Sequence, residues 1–225
     1  MIIPILNEAS VITQTLFELQ PLRARGHEVI VVDGGSEDAS QMKSQALADR
    51  VIQAPQGRSR QMNAGASIAS GEILLFLHAD TFLPGGADHL IVSKMTQNDR
   101  VWGHFDVRLS GNHPLFRIIE YLMNWRSRLT GIATGDQGIF VRHETFQSIG
   151  GFPAIELMED IALSRILKRC GPPLCLCQKI IASSRRWEEN GIIRTILLMW
   201  CLRLAYFLGA NPQDLARLYR RPATS

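Results

Sequence analysis

The sequence predicts an α/β domain on a mainly parallel sheet flanked by helices, and three observations lead there. Apolar runs of strand length recur at residues 2–6, 28–33, 51–52 and 72–77. Segments of helical length separate them, and polar residues close most of the runs. Helical connections between successive strands imply parallel pairing with right-handed crossovers. At 225 residues and 46% hydrophobic content, the chain is long enough to bury such a core as one domain over 1–225.

Residues 2–6 form the first strand, with Asn7 and Glu8 where a helix can be capped. Ile12, Leu16 and Leu19 repeat at helical spacing, so one helix is expected from Ala9 to Arg25, ended by Gly26. Glu28 to Asp33 is a β-branched strand closing on an acid. After the turn at Gly34 and Gly35, Ser36 is placed to cap a helix from Glu37 to about Ala48. Val51 and Ile52 make a short third strand. A helix opens near Gly57 and Arg58, where the small residues Ala66, Ala69 and Gly71 allow close packing on a sheet. The run from Glu72 then stops abruptly at His78, Ala79 and Asp80, as a strand buried on both faces would.

Beyond residue 84 the pattern loosens. A helix over Asp88 to Met95, a strand over Val101 to Leu109 and a helix over His113 to Thr130 lead to a polar loop, Gly131 to Gly138. Strands follow at Ile139 to Arg142 and Pro173 to Ala182. Between them lies Leu157 to Leu163, with Glu159 and Asp160 adjacent. Acids in a first helical turn have an ordinary explanation in the macrodipole.

In this topology Asn7, Glu8, Asp33, Arg58 and Asp80 come from the carboxyl ends of successive strands or just after them, the edge where open α/β sheets bind ligands. His78 and Asp80, two apart, could face one ion or phosphate. A carboxylate after the second strand suits a ribose diol or a base edge. No Gly-x-Gly-x-x-Gly follows the first strand and no Gly-x4-Gly-Lys-Ser/Thr occurs, which argues against a dinucleotide fold and a phosphate-loop NTPase. A divalent ion held by Asp80 would neutralise the phosphates of a nucleotide here.

Net charge is only +3, so nucleic acid is not an expected partner, although Arg185, Arg186, Arg217, Arg220 and Arg221 make the C-terminal part locally basic. Cys170, Cys175, Cys177 and Cys201 lack zinc-site spacing and are expected to be reduced, mostly buried thiols of a cytoplasmic protein. Met1 leads directly into Ile2-Ile3-Pro4, with no signal-peptide pattern. The apolar stretch from Ile192 to Gly209 is interrupted by Arg194 and Arg203. Such charges cost about 2.5–3.5 kcal/mol each at mid-bilayer, so the stretch reads as a core helix, or as an interfacial one at the inner face of a membrane.

Together, Ile-Ile-Pro-Ile-Leu-Asn-Glu (2–8), Val-Val-Asp-Gly-Gly-Ser-Glu-Asp (31–38), Gly-Arg-Ser-Arg-Gln-Met-Asn-Ala-Gly (57–65), Leu-Leu-Phe-Leu-His-Ala-Asp-Thr (74–81), Gly-Gly-Phe-Pro (150–153), Glu-Asp-Ile-Ala-Leu (159–163) and Arg-Arg-Trp (185–187) resemble the family-two glycosyltransferases of GT-A, Rossmann-like fold. More narrowly, the chain resembles the small bacterial group of radical-SAM/selenodomain-associated transferases. The resemblance implies inverting transfer of a sugar from a nucleotide-diphosphate donor to a hydroxyl acceptor, including a lipid-linked one. Residues 1–83 would bind the nucleotide, 84–190 the acceptor, and 191–225 would form a helical appendage. Asp33 would hold the base or ribose, with Pro4, Asn7, Glu8, Arg58 and Ala79 beside it. Asp80, with His78 in place of the family's first acid, would hold Mn²⁺ or Mg²⁺. Asp160 would be the base, next to Glu159. Gly135, Asp136, Gln137, Arg186 and Trp187 would contact acceptor or diphosphate.

Two other readings compete. A sugar-nucleotide-binding module without turnover is compatible with the missing first acid. Phosphatase-like hydrolysis, suggested by Leu77-His78-Ala79-Asp80-Thr81, needs a carboxylate nucleophile where His78 stands and a loop after the first strand instead of the fourth.

Overall fold

The computed structural model describes residues 1–220. Eight strands form one sheet in the order β3-β2-β1-β4-β7-β6-β8-β5. They are β1 (Ile2–Ile5), β2 (Ile30–Asp33), β3 (Arg50–Gln53), β4 (Ile73–Phe76), β5 (Thr81–Phe82), β6 (Trp102–Leu109), β7 (Ile139–Arg142) and β8 (Leu174–Ala182). Strands β3, β2, β1 and β4 are mutually parallel, as the sequence implies. From β4 onward the sheet is mixed: β7 runs antiparallel to both β4 and β6, β8 is parallel to β6, and β5 antiparallel to β8. The neighbours of β1 are β2 on one side and β4 on the other, so a crevice opens past its carboxyl end.

Alternation along the strands builds two cores. Ile3, Ile5, Val29, Val31, Leu75 and Leu77 face one side, where α1 (Ile12–Glu18) adds Ile12 and Leu16. Ile2, Ile30, Val32, Leu74 and Phe76 face the other, under α4 (Arg58–Ile68) and α8 (Glu159–Cys170). This three-layer burial explains why the strands read as unbroken apolar runs. Helix α4 lies close enough for a Cβ on Gly65 to fall 2.5 Å from Ile2 Cγ2, so Gly65 and the buried Ala66 make the contact. By contrast, Gly71 meets nothing nearer than 3.6 Å.

Several boundaries differ from expectation. The first helix breaks at Leu19 into α1 and α2 (Gln20–Ala24). Helix α3 begins only at Ser40 (Ser40–Gln45), because Ser36 bonds to Asp33 and does not cap it. Helix α5 spans Ala87–Asn98 and α6 spans Pro114–Thr130, the latter capped by the His113 side chain. Strand β6 pairs with β7 only at Trp102 and Gly103, and farther along buried α6 side chains take over its amides: Asn124 accepts from Val107 N at 2.8 Å and Glu120 from Leu109 N at 2.7 Å. The short helices α7 (His143–Ser148) and α9 (Arg185–Asn190) carry too few turns to foresee, and α11 (Pro212–Arg220) closes the described residues within the expected helical appendage.

Helix α10 (Ile192–Phe207) is not a core helix. Only Thr195 and Leu202 are buried along it, while Ile193, Leu197, Trp200, Leu204 and Phe207 are exposed. At about 1.5 Å per residue it is shorter than a bilayer core, and among the described residues no helix is long and apolar enough to cross a membrane. The expectation of mostly buried thiols also fails: Cys170, Cys177 and Cys201 are exposed and only Cys175 is partly buried, because the first three sit on outward faces of α8, β8 and α10. All four are free. Arg221 lies outside the described residues.

Candidate active site

Two loops are laced together at the ends of β1 and β2. Asn7, in the left-handed region at φ 55°, accepts from Glu37 N at 2.9 Å, and its own N–H donates to Ser36 Oγ. Asn tolerates this conformation better than most residues. Glu8 N donates to Ser40 Oγ, and Ala9 N to Asp38. Beneath them the buried Gln61 of α4 donates to both Ile5 O (2.9 Å) and Val32 O (2.8 Å), tying the two strand ends together. Pro4 is buried in β1 as part of this floor.

Asp33 is fully buried. Its carboxylate accepts from Gly35 N, Ser36 N and Ser36 Oγ, so it orders the turn that walls the crevice. Past β4 the chain turns tightly, with Thr81 N donating to His78 O, and Thr15 Oγ1 anchors the buried Ala79 through its carbonyl. Asp80 is half-buried at this turn. His78 pairs with Asp136, Nδ1 to Oδ1 3.2 Å.

The acidic pair opens α8 from Met158, whose φ of 67° replaces a side-chain cap. Asp160 is half-buried and accepts from Ile161 N (2.7 Å) and from Gly135 N (2.8 Å). A small crevice lies between Met62, Phe76, His78, Gly135, Glu159 and Asp160. Arg58 is exposed at its rim. Desolvation by its surroundings opposes its charge, but the field of Glu159, with Asp136 and Asp160, outweighs it and raises its pKa. Desolvation likewise works against the Asp136 charge, yet the His78 hydrogen bond prevails and lowers the pKa.

Glu159 is buried, 6% exposed, and burial, then the like charge of Asp160, raises its pKa above the usual 4.5 despite Arg58. The native state consequently holds this proton more tightly than the unfolded chain, and ionisation removes stability as pH rises above 4.5. Glu159→Gln is expected to melt above wild type at neutral pH, with the gap closing toward acid pH. Thermal melts across pH check this; a gap that widened in acid would contradict it.

Three residues named from sequence are engaged elsewhere. Gln137 is fully buried; its amide bridges Thr134, Ser127 Oγ (3.0 Å) and Phe105 O, so it anchors the loop from inside. Arg186 stacks on Tyr219 at 3.6 Å and donates to Tyr219 O, which commits it to α11. Trp187 is half-buried against the β-sheet core. Of the two arginines, Arg185 is the one turned to the loop after β1, paired with Glu8 at 3.2 Å and raised in pKa by that bond, with Asp80 adding to it. Adjacent arginines on a short helix point differently, and nothing in Ser-Ser-Arg-Arg-Trp says which one turns inward.

Among the described residues no three His, Cys, Asp or Glu side chains gather as a metal cluster. A hard cation that shares its coordination with phosphate oxygens and waters needs as little as one carboxylate from the protein. Asp80, free of the laced loops, fits that role, and His78, engaged with Asp136 through Nδ1, has only Nε2 to offer.

Solved structures share this fold. The mannosyltransferase PcManGT from Pyrobaculum calidifontis, in complex with GDP-Man and Mn2+, aligns at TM-score 0.65 and 21% identity over 100% of this chain and 64% of its own. S. aureus TarS 1-349 aligns at 0.64 and 17% over 81% and 59%. Glucosyl-3-phosphoglycerate synthase from Mycobacterium tuberculosis, with Mn2+, UDP and glucosyl-3-phosphoglycerate, aligns at 0.58 and 19% over 79% and 68%. The chain thus spans less than two thirds of the first two structures. No match is found among curated protein sequences. The architecture is that of a GT-A glycosyltransferase. The sequence model of glycosyl transferase family 2 matches residues 1–150, and the chain belongs to that family.

Proposed function

We propose that this glycosyltransferase moves a sugar, with inversion, from a nucleotide-diphosphate donor to a hydroxyl acceptor. The observation that carries the reading is the crevice that Asp160 shares with His78 and Gly135 past the end of β4, the strand next to β1 and its laced loop. The nucleotide would lie over residues 1–83, against the turn ordered by Asp33. A ribose or base contact at Asp33 would take the place of the Ser36 hydroxyl. The acceptor would enter over residues 84–190. Its hydroxyl oxygen forms the new bond to the anomeric carbon while the bond from that carbon to the phosphate oxygen breaks. The electron pair leaves with the nucleoside diphosphate, and the acceptor's proton passes to Asp160. Arg185 and Arg58 offer positive charge to the leaving group. Mn²⁺ or Mg²⁺, when bound, would be held by Asp80 and would stabilise charge on the diphosphate.

A nucleotide screen tests the reading: UDP-, GDP-, dTDP- and CDP-sugars, with Mn²⁺ or Mg²⁺, read by thermal shift and turnover. Asp33→Ala is expected to abolish the nucleotide shift. It also leaves the Gly35 and Ser36 amides without their acceptor, at about 1–3 kcal/mol of stability. A folded Asp33→Ala protein that kept the full shift would remove Asp33 from the nucleotide site.

The face formed by α6 and α10 supports placement at a membrane surface. Tyr121, Trp125 and Leu129 of α6 and Trp200, Leu204 and Phe207 of α10 are all more than half exposed, an apolar area with aromatic residues suited to a headgroup boundary. Co-sedimentation with anionic vesicles is expected, and Trp125→Ser with Trp200→Ser should weaken it. Equal sedimentation of this double variant would refute the assignment.

A further inference from the structure

Arg126 of α6 and Arg203 of α10 are anomalous. Among the described residues, Nε and Nη2 of Arg126 and Nε of Arg203 are shut off from solvent and donate to no acceptor. Other arginines in this half are matched: Arg185 by Glu8, Arg128 by Asp106, Arg165 by the Tyr206 and Phe207 rings. An unsatisfied buried donor is destabilising, and more so when charged. Here two such groups also repel. Burial first, then the like charge of Arg203, push the Arg126 guanidinium down to about 10, against the pull of Asp160. Arg203 in turn acts on Asp136. The two unpaired cations therefore stand within electrostatic reach of the crevice acids, on the acceptor side.

We propose that Arg126 and Arg203 form a phosphate-binding subsite beside Asp160 that takes a phosphate group of the acceptor. The role of Asp160 rests on the functional reading above; the unpaired guanidinium donors do not. Two planar forks of N–H donors match the several lone pairs of a tetrahedral phosphate, which would satisfy the donors and offset the repulsion. The donor's diphosphate is the other source of the same chemistry. It belongs, however, with Asp80, Arg185 and the loops after β1 and β2, whereas Arg126 and Arg203 sit on α6 and α10. Gripping an acceptor's phosphate would set its neighbouring hydroxyl against Asp160. The outward faces of the same two helices are the apolar ones, so the acceptor class that fits is a hydroxyl compound bearing phosphate, either soluble or as a lipid headgroup.

Thermal shift with glycerol 3-phosphate, with glycerol as control, and separately with UDP or GDP tests this on wild type, Arg126→Met and Arg203→Met. Wild type should show a saturable rise with glycerol 3-phosphate and none with glycerol, lost in both variants while the nucleoside diphosphate shift persists. Because each substitution removes an unsatisfied buried donor, the ligand-free variants should melt at or above wild type. A lower melting point in both would make the arginines structural and overturn the proposal. So would a wild type blind to glycerol 3-phosphate. Loss of the diphosphate shift together with the glycerol 3-phosphate shift would reassign the subsite to the donor. If wild type bound glycerol 3-phosphate through these arginines but no nucleoside diphosphate, the subsite would stand and the nucleotide reading would fall.

Discussion

Asp160→Asn is expected to lower sugar transfer by about 100- to 10,000-fold, the range a positioned general base contributes, while leaving the nucleotide thermal shift in place. The amide has nearly the shape of the carboxylate and keeps one oxygen, so it can still accept from Gly135 N or Ile161 N, the two bonds that fix this side chain. It loses the charge and the ability to take a proton from the acceptor. In the proposed function, nucleotide binding depends on Asp33 and the loop at Asn7 and Glu8, while the hydrogen bonds of Asp160 go to Gly135 N and Ile161 N. A binding module without turnover would show no transfer in wild type, and the substitution would change nothing. An Asp160→Asn enzyme working at the wild-type rate would exclude Asp160 as the base.

How far the sequence reveals this site follows from which interactions are local. The parallel half is legible because β1, β2 and β4 are buried on both faces and are followed by polar residues; their observed bounds differ from expectation only by fraying. In the mixed half the strands β6, β7 and β8 are legible within a residue but their pairing is not, since β7 antiparallel to β4 depends on contacts between distant segments. The same holds within the site. The acid at the end of β2 is visible in the sequence, but not that its oxygens are engaged by Gly35 and Ser36. The Gly-Asp-Gln triplet reads as three equivalent polar residues. Only the fold separates Asp136, which faces His78, from Gln137, which faces Ser127. Arg126 and Arg203 look like interruptions of apolar helices, and their unpaired state is visible only once α6 and α10 are placed.

Gly135→Ala should be nearly as damaging as loss of the base, for a geometric reason. A Cβ at position 135 would lie 2.4 Å from His78 Nε2 and 2.7 Å from its Cε1. The ring is 15% exposed and held by Asp136, so it can make room only by giving up that partner or by pushing the 135–137 turn outward. The turn carries Gly135 N, which positions Asp160. Overpacking of this kind costs about 1–3 kcal/mol, or roughly 2–4 °C in Tm per kcal/mol for a chain of this size. Displacement of Asp160, the proposed base, should depress transfer more than it depresses nucleotide binding. The double variant decides the cause: once His78→Ala has removed the obstructing ring, Gly135→Ala should cost little further stability, so the two changes are strongly non-additive. Additive effects would mean that the glycine is required by its own backbone and not by the imidazole packed against it.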